Sequence, residues 1–305
     1  MSSPVVSIRS FFSVIALLVF LSFVTDATVG QTTEVNGDDG LVYIAVPAGS
    51  FQMGCSPGDT VCQSDERPRH EVAISRSFYI GRTETTVGAY LGFVKATGHR
   101  MPKEPSVMGI SLNLRWKDLR QPMVNLSWRE AQTYCQWAGG RLPTEAEWEY
   151  SARAGEEGPR YGRLNKIAWS ADNTGGPIID SKKIWDRDAE GNAGRYLQLI
   201  LGYGRRIPRV GQKLPNNWGL FDMLGSVYEW TQDWYQSDYY RHANDVDPVN
   251  RTQTPLRVTR GGCWGNVPDY LRLSARSWGA GDSGVPQIGF RCVLPAATGV
   301  TGPPF

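Results

Sequence analysis

Apolar residues along this chain follow two spacings, and each spacing predicts a different kind of element. Short runs rich in β-branched and aromatic residues, bounded by Pro, Gly or polar residues, predict strands. These strands are expected at 41–46, 50–54, 69–74 and 78–80. The segment after Thr86 is more typical of a helix, which Thr86 would cap and Gly98 would end.

Two further helices are predicted, each with a defined first turn. Ser127 and Glu130 have the spacing of a capping box, in which the two side chains satisfy free backbone N–H groups. The residues that recur at helical spacing and would form the buried face are Trp128, Ala131, Cys135 and Ala138. Gly139–Gly140 ends this helix, and a second capping box from Thr144 to Glu147 starts the next one.

The N-terminal segment predicts export. An apolar run over 11–24 is followed by small residues at 27–30, which is typical of a cleaved secretory signal covering residues 1–30. The mature protein is then expected to be secreted or periplasmic, in an oxidising compartment where disulfides persist. An uncleaved N-terminal anchor is the alternative. The polar, Gly- and Asp-rich residues 31–40 are typical of a flexible lead-in.

Composition narrows the range of partners and of disulfides. The 305 residues carry 32 basic and 30 acidic side chains and no basic run with interleaved aromatics, so nucleic acid is not an expected partner. The five cysteines allow at most two intrachain bridges. Cys55 and Cys62 are seven residues apart in a turn-rich loop and can pair locally. Spacing alone does not pair Cys135, Cys263 and Cys292, one of which must stay unpaired.

A series of motifs runs in order along most of the chain. They are Val46-Pro-Ala-Gly-Ser-Phe-Gln-Met-Gly54, Thr83-Glu-Thr-Thr-Val87, Pro122-Met-Val-Asn-Leu-Ser-Trp128, Gly140-Arg-Leu-Pro-Thr-Glu-Ala-Glu-Trp-Glu-Tyr150, Asn217-Trp-Gly-Leu-Phe-Asp-Met-Leu-Gly-Ser-Val-Tyr-Glu-Trp230, Arg260-Gly-Gly262 and Ile288-Gly-Phe-Arg-Cys292. Together they resemble the formylglycine-generating enzyme family, also called the sulfatase-modifying-factor family. The resemblance implies one α+β domain over 41–293, with little regular secondary structure and a distant similarity to C-type lectins. A surface insertion around 176–208 and a C-terminal tail over 294–305 complete this organisation.

The resemblance also implies one disulfide bridge and a metal site. In the family, a cysteine at the Cys135 position bridges to one at the Cys292 position. With Cys55–Cys62 as the second bridge, Cys263 is left free. The family binds calcium through the segment before the Glu-Trp pair, using the oxygen ligands that this ion prefers. Carried onto this sequence, the ligands are Asp222 and Glu229 by side chain and Gly225 and Val227 by backbone carbonyl.

The stretch 257–293 departs from the oxidising members of the family. Those enzymes hold copper(I) with two cysteine thiolates shortly after Gly-Gly-Ser, as a soft metal ion prefers. Here Cys263 stands at the serine position and Asn266 near the first copper cysteine, so bound copper is not expected. Cys263 is the candidate catalytic residue. The residues expected to line the cleft are Trp264, Asn266, Arg272, Arg276 and Ser277.

Two functions from different classes remain open. The first is an exported modifying enzyme of oxidoreductase type, which acts on a peptide or thiol-containing substrate without the copper pair. The second is a non-catalytic module that recognises a peptide, protein or glycan with the same cleft, because lectin-like folds place recognition on loops held by a rigid frame. Trp264, Tyr270 and Trp278 fit such recognition. The chain is expected to be a monomer.

Overall fold

Short strands and short helices alternate along the chain, as the hydrophobic pattern predicts. The computed structural model describes Met1 and residues 33–296. The strands are β1 (Glu34–Asn36), β2 (Val42–Val46), β3 (Gly49–Met53), β4 (His70–Ile74), β5 (Phe78–Gly81), β6 (Ser106–Val107), β7 (Ile110–Ser111), β8 (Tyr228–Trp234), β9 (Leu256–Arg260), β10 (Arg276–Ala280), β11 (Ile288–Gly289) and β12 (Val293–Pro295). The helices are α1 (Val87–Thr97), α2 (Trp128–Trp137), α3 (Glu145–Arg153), α4 (Leu164–Ile167), α5 (Ser181–Lys183) and α6 (Ala193–Gly202).

The strands form two four-stranded sheets, ordered β1-β2-β5-β12 and β10-β9-β8-β11, and two short ribbons, β3-β4 and β6-β7. In the first sheet β12 pairs antiparallel with β5, which brings Leu294 and Pro295 into the folded domain. These two residues were expected in the C-terminal tail. Residues 297–305 lie outside the described part of the chain.

The second sheet positions the candidate site. β9 runs antiparallel to both β8 and β10, and Ser277 of β10 lies opposite Thr259 of β9. Because successive side chains of a strand point to opposite faces, Arg257 and Thr259 share one face of β9, while Arg260 lies on the other. One face of this sheet therefore carries the cleft described below, and the other carries buried arginines.

The three predicted helices are confirmed, with their caps. Thr86 accepts a hydrogen bond at the start of α1, and Gly98 ends it in a left-handed conformation. Both capping boxes are formed, by Ser127 in α2 and by Thr144 in α3. These helices pack against two apolar clusters, in which Trp148 and other large aromatic side chains are fully buried.

The prediction of a flexible lead-in over 31–40 is wrong for part of that stretch. Glu34–Asn36 forms β1 and pairs antiparallel with β2. The Asp39 carboxylate accepts hydrogen bonds from the hydroxyl groups of Tyr43 at 2.8 Å and Tyr134 at 2.9 Å. These contacts with distant residues order a segment whose polarity alone predicts loop.

The insertion around 176–208 is also more ordered than its composition predicts. It contains α5, one turn of π-helix over Ile184–Asp188, and α6. Tyr196 and Ile200 are four residues apart on α6, so they lie on one face and are buried in the core. The insertion is therefore partly interior rather than wholly a surface feature.

Both expected disulfides are present, the local one predicted from spacing and the distant one implied by the family resemblance. Cys55 pairs with Cys62 within one loop, and Cys135 of α2 pairs with Cys292 across 157 residues. The second bridge ties α2 to the residue just before β12. Cys263 is the free cysteine among the described residues.

Candidate functional site

A cleft of about 400 Å³ lies between the second sheet, the loop over 263–267 and α6. Several aromatic side chains line it: β8 contributes Tyr228, β10 contributes Trp278, and α6 contributes Tyr196. Ser277 of β10 adds one hydroxyl group. An apolar concavity with a few polar groups is the usual form of a small-ligand site.

The floor of the cleft depends on a glycine turn. Gly261 and Gly262 have φ values of +92° and +77°, which residues other than glycine rarely adopt. A Cβ atom at Gly262 would also lie 2.3 Å from Leu271 Cδ2. After the turn, the Cys263 N–H donates to Asn266 Oδ1 at 2.7 Å. The Gly-Gly pair therefore fixes the conformation that places Cys263 in the cleft lining.

The thiol of Cys263 is poorly suited to nucleophilic or copper chemistry. The residue is only 4% exposed, and burial raises the pKa of its thiol to about 12. The thiol is therefore neutral at physiological pH, whereas the thiolate is the form that attacks electrophiles or binds soft metals. Cys263 is the lone cysteine of the cleft lining.

Arg272 and Arg276, expected to line the cleft, lie elsewhere. Arg272 Nη1 and Nη2 each donate to the Glu66 carboxylate at 2.6 Å. Arg276 Nε donates to Glu145 Oε1 at 2.7 Å. Ser277 of β10 borders the cleft, whereas the buried Glu145 carboxylate holds the Arg276 side chain away from it. Trp278, the other neighbour of Ser277, reaches the cleft rim, so strand alternation alone does not separate the residues that line the cleft.

The remaining predicted residues divide between the cleft and the core. Trp264 is fully buried in the core, while Cys263, Asn266 and Ser277 border the cleft. Sequence reasoning missed Trp185 and Tyr196, because the insertion that carries them shows no clear periodicity. It also missed Tyr228, which precedes the predicted calcium residue Glu229 and points the other way along β8.

The turn that leads into β8 buries two carboxylates. Asp222, Gly225 and Ser226 have positive φ values of 57°, 81° and 55°. The Asp222 and Glu229 residues are each 1% exposed. Asp222 Oδ2 accepts the Gly211 N–H at 2.5 Å, whereas Asp222 Oδ1 has no partner within the described chain.

Glu229 is partly neutralised by its neighbours. Arg291 Nε and Nη2 each donate to the Glu229 carboxylate at 2.7 Å, and Trp148 Nε1 donates to Glu229 Oε2 at 2.8 Å. Glu229 Oε1 receives the single bond from Arg291 Nη2. Because a carboxylate oxygen has two lone pairs, Oε1 keeps one acceptor position.

A third carboxylate, Glu84 of the Thr-Glu-Thr-Thr motif, was not predicted. With Asp222 and Glu229 it forms what we call the acidic cluster. Glu84 is fully buried, and both of its side-chain oxygens lack partners among residues 33–296. Burial and then repulsion from Asp222 hold the pKa of Glu84 well above its usual range, against an opposing effect of Arg291. Burial, with repulsion from Glu229, raises the pKa of Asp222 to about 6.

The donor atoms of this cluster suit a hard cation. Three buried carboxylates surround one fully buried guanidinium, that of Arg291. Asp222 Oδ1 and Glu229 Oε1 can each accept another contact, and hard oxygen atoms are the ligands that Ca²⁺ takes. The two oxygens of Glu84, which have no hydrogen-bond donor among the described residues, are further acceptor atoms at this place.

Asp59, Cys62 and Glu66 also lie close to one another, but this group does not suit a metal ion. Cys62 is bonded to Cys55, and Arg272 contacts the carboxylates of Asp59 at 3.1 Å and Glu66 at 2.6 Å. The two carboxylates therefore have a positive partner within the protein, and the contact ties the Cys55–Cys62 loop to the segment that carries Arg272.

Together these features describe an α+β domain with a cleft beside the Gly-Gly turn and an acidic cluster behind it. Residues 29–296 match the family model described as the sulfatase-modifying factor enzyme 1-like domain. The formylglycine-generating enzyme of Streptomyces coelicolor is 32% identical over 290 residues, covering 82% of this chain and 88% of that protein. The chain belongs to the sulfatase-modifying factor, or FGE, family.

Solved structures agree with this membership. The structure of PvdO from Pseudomonas aeruginosa is 29% identical with a TM-score of 0.69, covering 87% of this chain and 98% of that one. Treponema denticola variable protein 1 is 20% identical with a TM-score of 0.59, which shows a shared fold alone. The FGE-like fold predicted from the motifs is thereby confirmed.

Proposed function

We propose that this chain recognises an aromatic side chain of a peptide or protein in the cleft, without a copper dithiolate. One observation carries the proposal: the cleft lining holds a single cysteine, Cys263, whose buried thiol has a pKa raised to about 12. Copper(I) sites are built from soft thiolate ligands. A lone neutral thiol supplies neither a second ligand nor the negative charge.

The aromatic walls give the cleft its selectivity. Trp185 and Tyr196 already form an edge-to-face pair with ring centroids 5.3 Å apart. A ligand ring entering beside them would make similar contacts, worth about 0.5–1.5 kcal/mol per pair beyond area burial. Trp278 is 53% exposed at the rim and is therefore available to cover the bound group. Asn266 and Ser277 would orient a backbone amide.

Peptide binding to the full chain tests this proposal. We expect a peptide containing Trp or Tyr to bind, and Trp278→Ala to weaken binding about tenfold, which is about 1.4 kcal/mol. Tyr203→Ala, an exposed aromatic residue outside the cleft lining, is the matched control. Cys263→Ser should leave binding intact and metal analysis should find no copper. Near-stoichiometric copper that disappears in Cys263→Ser would overturn the proposal.

A modifying enzyme is the second candidate, because a formylglycine-generating enzyme is 32% identical to this chain and Cys263 borders the cleft. Its substrate would be a peptide that carries a thiol. Oxygen uptake that requires both a cysteine-containing peptide and Cys263 would favour this candidate over recognition alone. The same peptide with serine in place of cysteine is the control.

We also propose calcium as a bound ion of the acidic cluster. Asp222 and Glu229 would hold it by side chain, and Gly225 and Val227 by backbone carbonyl. The support is the unpartnered Asp222 Oδ1 together with the excess of carboxylates over guanidinium groups. The ion would neutralise charge and fix the turn that leads into β8, behind the cleft. Metal analysis after dialysis should find about one calcium per chain.

Export is the last part of the proposed function. The predicted signal over 1–30 lies outside the described residues apart from Met1, and within the described chain no helix is long and apolar enough to cross a membrane. Two disulfides support a secreted or periplasmic location, since such bridges persist in oxidising compartments. Fractionation of the producing cells should recover a protein shortened at its N-terminus; an unshortened, membrane-bound chain would favour the anchor.

A further inference from the structure

A second concavity, of about 710 Å³, lies at the start of α2 and shares no lining residue with the cleft. Its walls come from α2, from the end of β8, from the loop before β9 and from the chain after β10. The lining residues that matter here are Trp128, Arg129, Trp234, Thr254, Arg257 and Asp282. We call this concavity the groove.

The guanidinium group of Arg257 lies between two indole rings in the groove. Its Cζ atom is 3.6 Å from the ring centroid of Trp128 and 3.3 Å from that of Trp234. At these distances the rings cover the two flat faces of the guanidinium group, a favourable cation–π arrangement. The N–H edge of the group is the part that remains for other partners.

That edge is mostly unused. Arg257 Nη1 donates to the Gln232 carbonyl oxygen at 2.8 Å, and no other acceptor or carboxylate partner is found for Arg257 among residues 33–296. By contrast, Arg260, three residues along the same strand, contacts two carboxylates. Burial lowers the pKa of Arg257 to about 10, and the group still stays charged at neutral pH. A partly buried cation without an anionic partner is thus present in the groove.

The surrounding charges do not cancel this cation. Arg129, which is exposed, adds a second positive group to the lining, and Asp282, also exposed, is the single carboxylate there. Asp233, the buried acid beside Trp234 on β8, is used elsewhere: its carboxylate accepts the backbone N–H groups of Glu145 at 2.8 Å and Asn250 at 2.7 Å. The groove therefore favours an anion.

We propose that the groove is a carboxylate-binding site, in which the free N–H edge of Arg257 holds the carboxylate and the apolar part of the ligand rests against Trp128 and Trp234. Arginine and carboxylate groups match as two parallel hydrogen bonds in one plane. A planar carboxylate continues the plane of the guanidinium group beyond the two rings. A tetrahedral phosphate would place oxygens out of that plane, towards the indoles.

Titration of the full chain with small probes tests this site. Benzoate is expected to bind at millimolar concentration, and benzamide, its neutral isostere, at least tenfold more weakly. Arg257→Gln should reduce benzoate affinity at least tenfold. Arg257→Lys keeps the charge but loses the two parallel N–H groups, and it should reduce the affinity less. Arg100→Gln removes an exposed arginine outside the groove lining and should change nothing.

Three results would each overturn the assignment. These are equal binding of benzoate and benzamide, benzoate affinity unaffected by Arg257→Gln, and binding of inorganic phosphate in place of benzoate. Were Arg257→Gln to unfold, Arg257→Lys and the benzoate–benzamide comparison would still decide. Because the groove and the cleft have separate linings, aromatic-peptide binding in the cleft can fail or succeed without affecting this outcome.

Discussion

Two of the buried charge clusters in this domain differ in one respect: in only one of them does every carboxylate oxygen accept a hydrogen bond within the protein. In the first, Glu145 and Glu149 of α3 face Arg153, Arg260 and Arg276. Arg260 Nη2 is 2.5 Å from Glu149 Oε2, Arg153 contacts Glu149 Oε1 at 2.8 Å, and Arg276 contacts Glu145 at 2.7 Å. Every carboxylate oxygen of this balanced cluster has a donor within the protein.

In the acidic cluster, by contrast, the carboxylates outnumber the guanidinium groups that they could pair with. Glu84, Asp222 and Glu229 share the single guanidinium group of Arg291, and that group bonds to Glu229 alone among the three. Both oxygens of Glu84 and one of Asp222 have no partner in the described chain. Burying an ionised carboxylate without a partner is costly, so protons or a cation must make up the difference.

The difference separates scaffold from candidate site. A buried cluster in which every carboxylate oxygen has a donor holds elements together, here α3 against β9 and β10, and its carboxylates need nothing from outside. A buried acidic group with orphaned oxygens is incomplete and responds to what binds it. Carboxylate oxygens without donors, rather than the presence of acidic residues, therefore indicate where calcium is expected.

The largest predicted effect is the loss of balance in the first cluster. Arg260→Met leaves Glu149 Oε2 buried without a donor and also removes the hydrogen bonds to the Leu273 and Ser274 carbonyl oxygens, which we expect to cost about 3–5 kcal/mol of unfolding free energy. Guanidinium denaturation would measure it. Arg100→Gln, at an exposed site, should change stability by less than about 0.5 kcal/mol. A loss below about 1 kcal/mol for Arg260→Met would mean that the cluster is not a scaffold.

Calcium should complete the acidic cluster and leave the balanced one unaffected. At a free concentration of one hundred times its Kd, the ion would stabilise the fold by about 2.7 kcal/mol, and chelation would remove this gain. Asp222→Asn should abolish the response, whereas Asp38→Asn, at an exposed position, should keep it. An unfolding midpoint that is the same with calcium and with chelator would show that Asp222 and Glu229 hold no such ion.

The calcium-free protein should have a distinct pH dependence. The pKa of Asp222 is raised from its ordinary 3.8 to about 6, so the folded state retains a proton that the unfolded state releases. Its contribution to stability is therefore present below pH 4 and lost as the pH rises through 6. Asp233, with a pKa raised to about 7, acts in the same direction. Calcium should remove the Asp222 part alone, and a pH profile identical with and without calcium would contradict this.

Much of the frame could be predicted from sequence, because its signals are local. Thr86, Ser127 and Thr144 are N-cap residues, whose hydrogen bonds are made within one helical turn, and all three caps are formed. The Cys135–Cys292 bridge was available through the family resemblance, since spacing leaves its pairing open. β1 was missed because Asp39 is held by tyrosines that are distant in sequence.

The candidate site was harder to predict, because its properties arise from three-dimensional neighbours. Asn266 and Ser277 were placed by motif position and do border the cleft. Arg272 and Arg276 share that stretch of sequence but lie against Glu66 and Glu145, which other elements supply. Nothing in the residues around Glu84 indicates that both of its oxygens would be buried without partners.

The smallest effect on stability is expected for Glu84→Gln in the acidic cluster, and the same Glu→Gln change at Glu149 allows the two clusters to be compared. Glu84→Gln in the calcium-free protein replaces a buried carboxyl group, whose pKa burial holds well above its usual range, with a neutral group of similar shape. We therefore expect a change of about 1 kcal/mol or less, of either sign. Glu149→Gln, in contrast, should destabilise clearly, because it leaves Arg153 without its charged partner and Arg260 with Glu145 alone. Denaturation of both variants in chelator makes the comparison directly, and a Glu84→Gln variant as unstable as Glu149→Gln would show that Glu84 is ionised and paired in the fold.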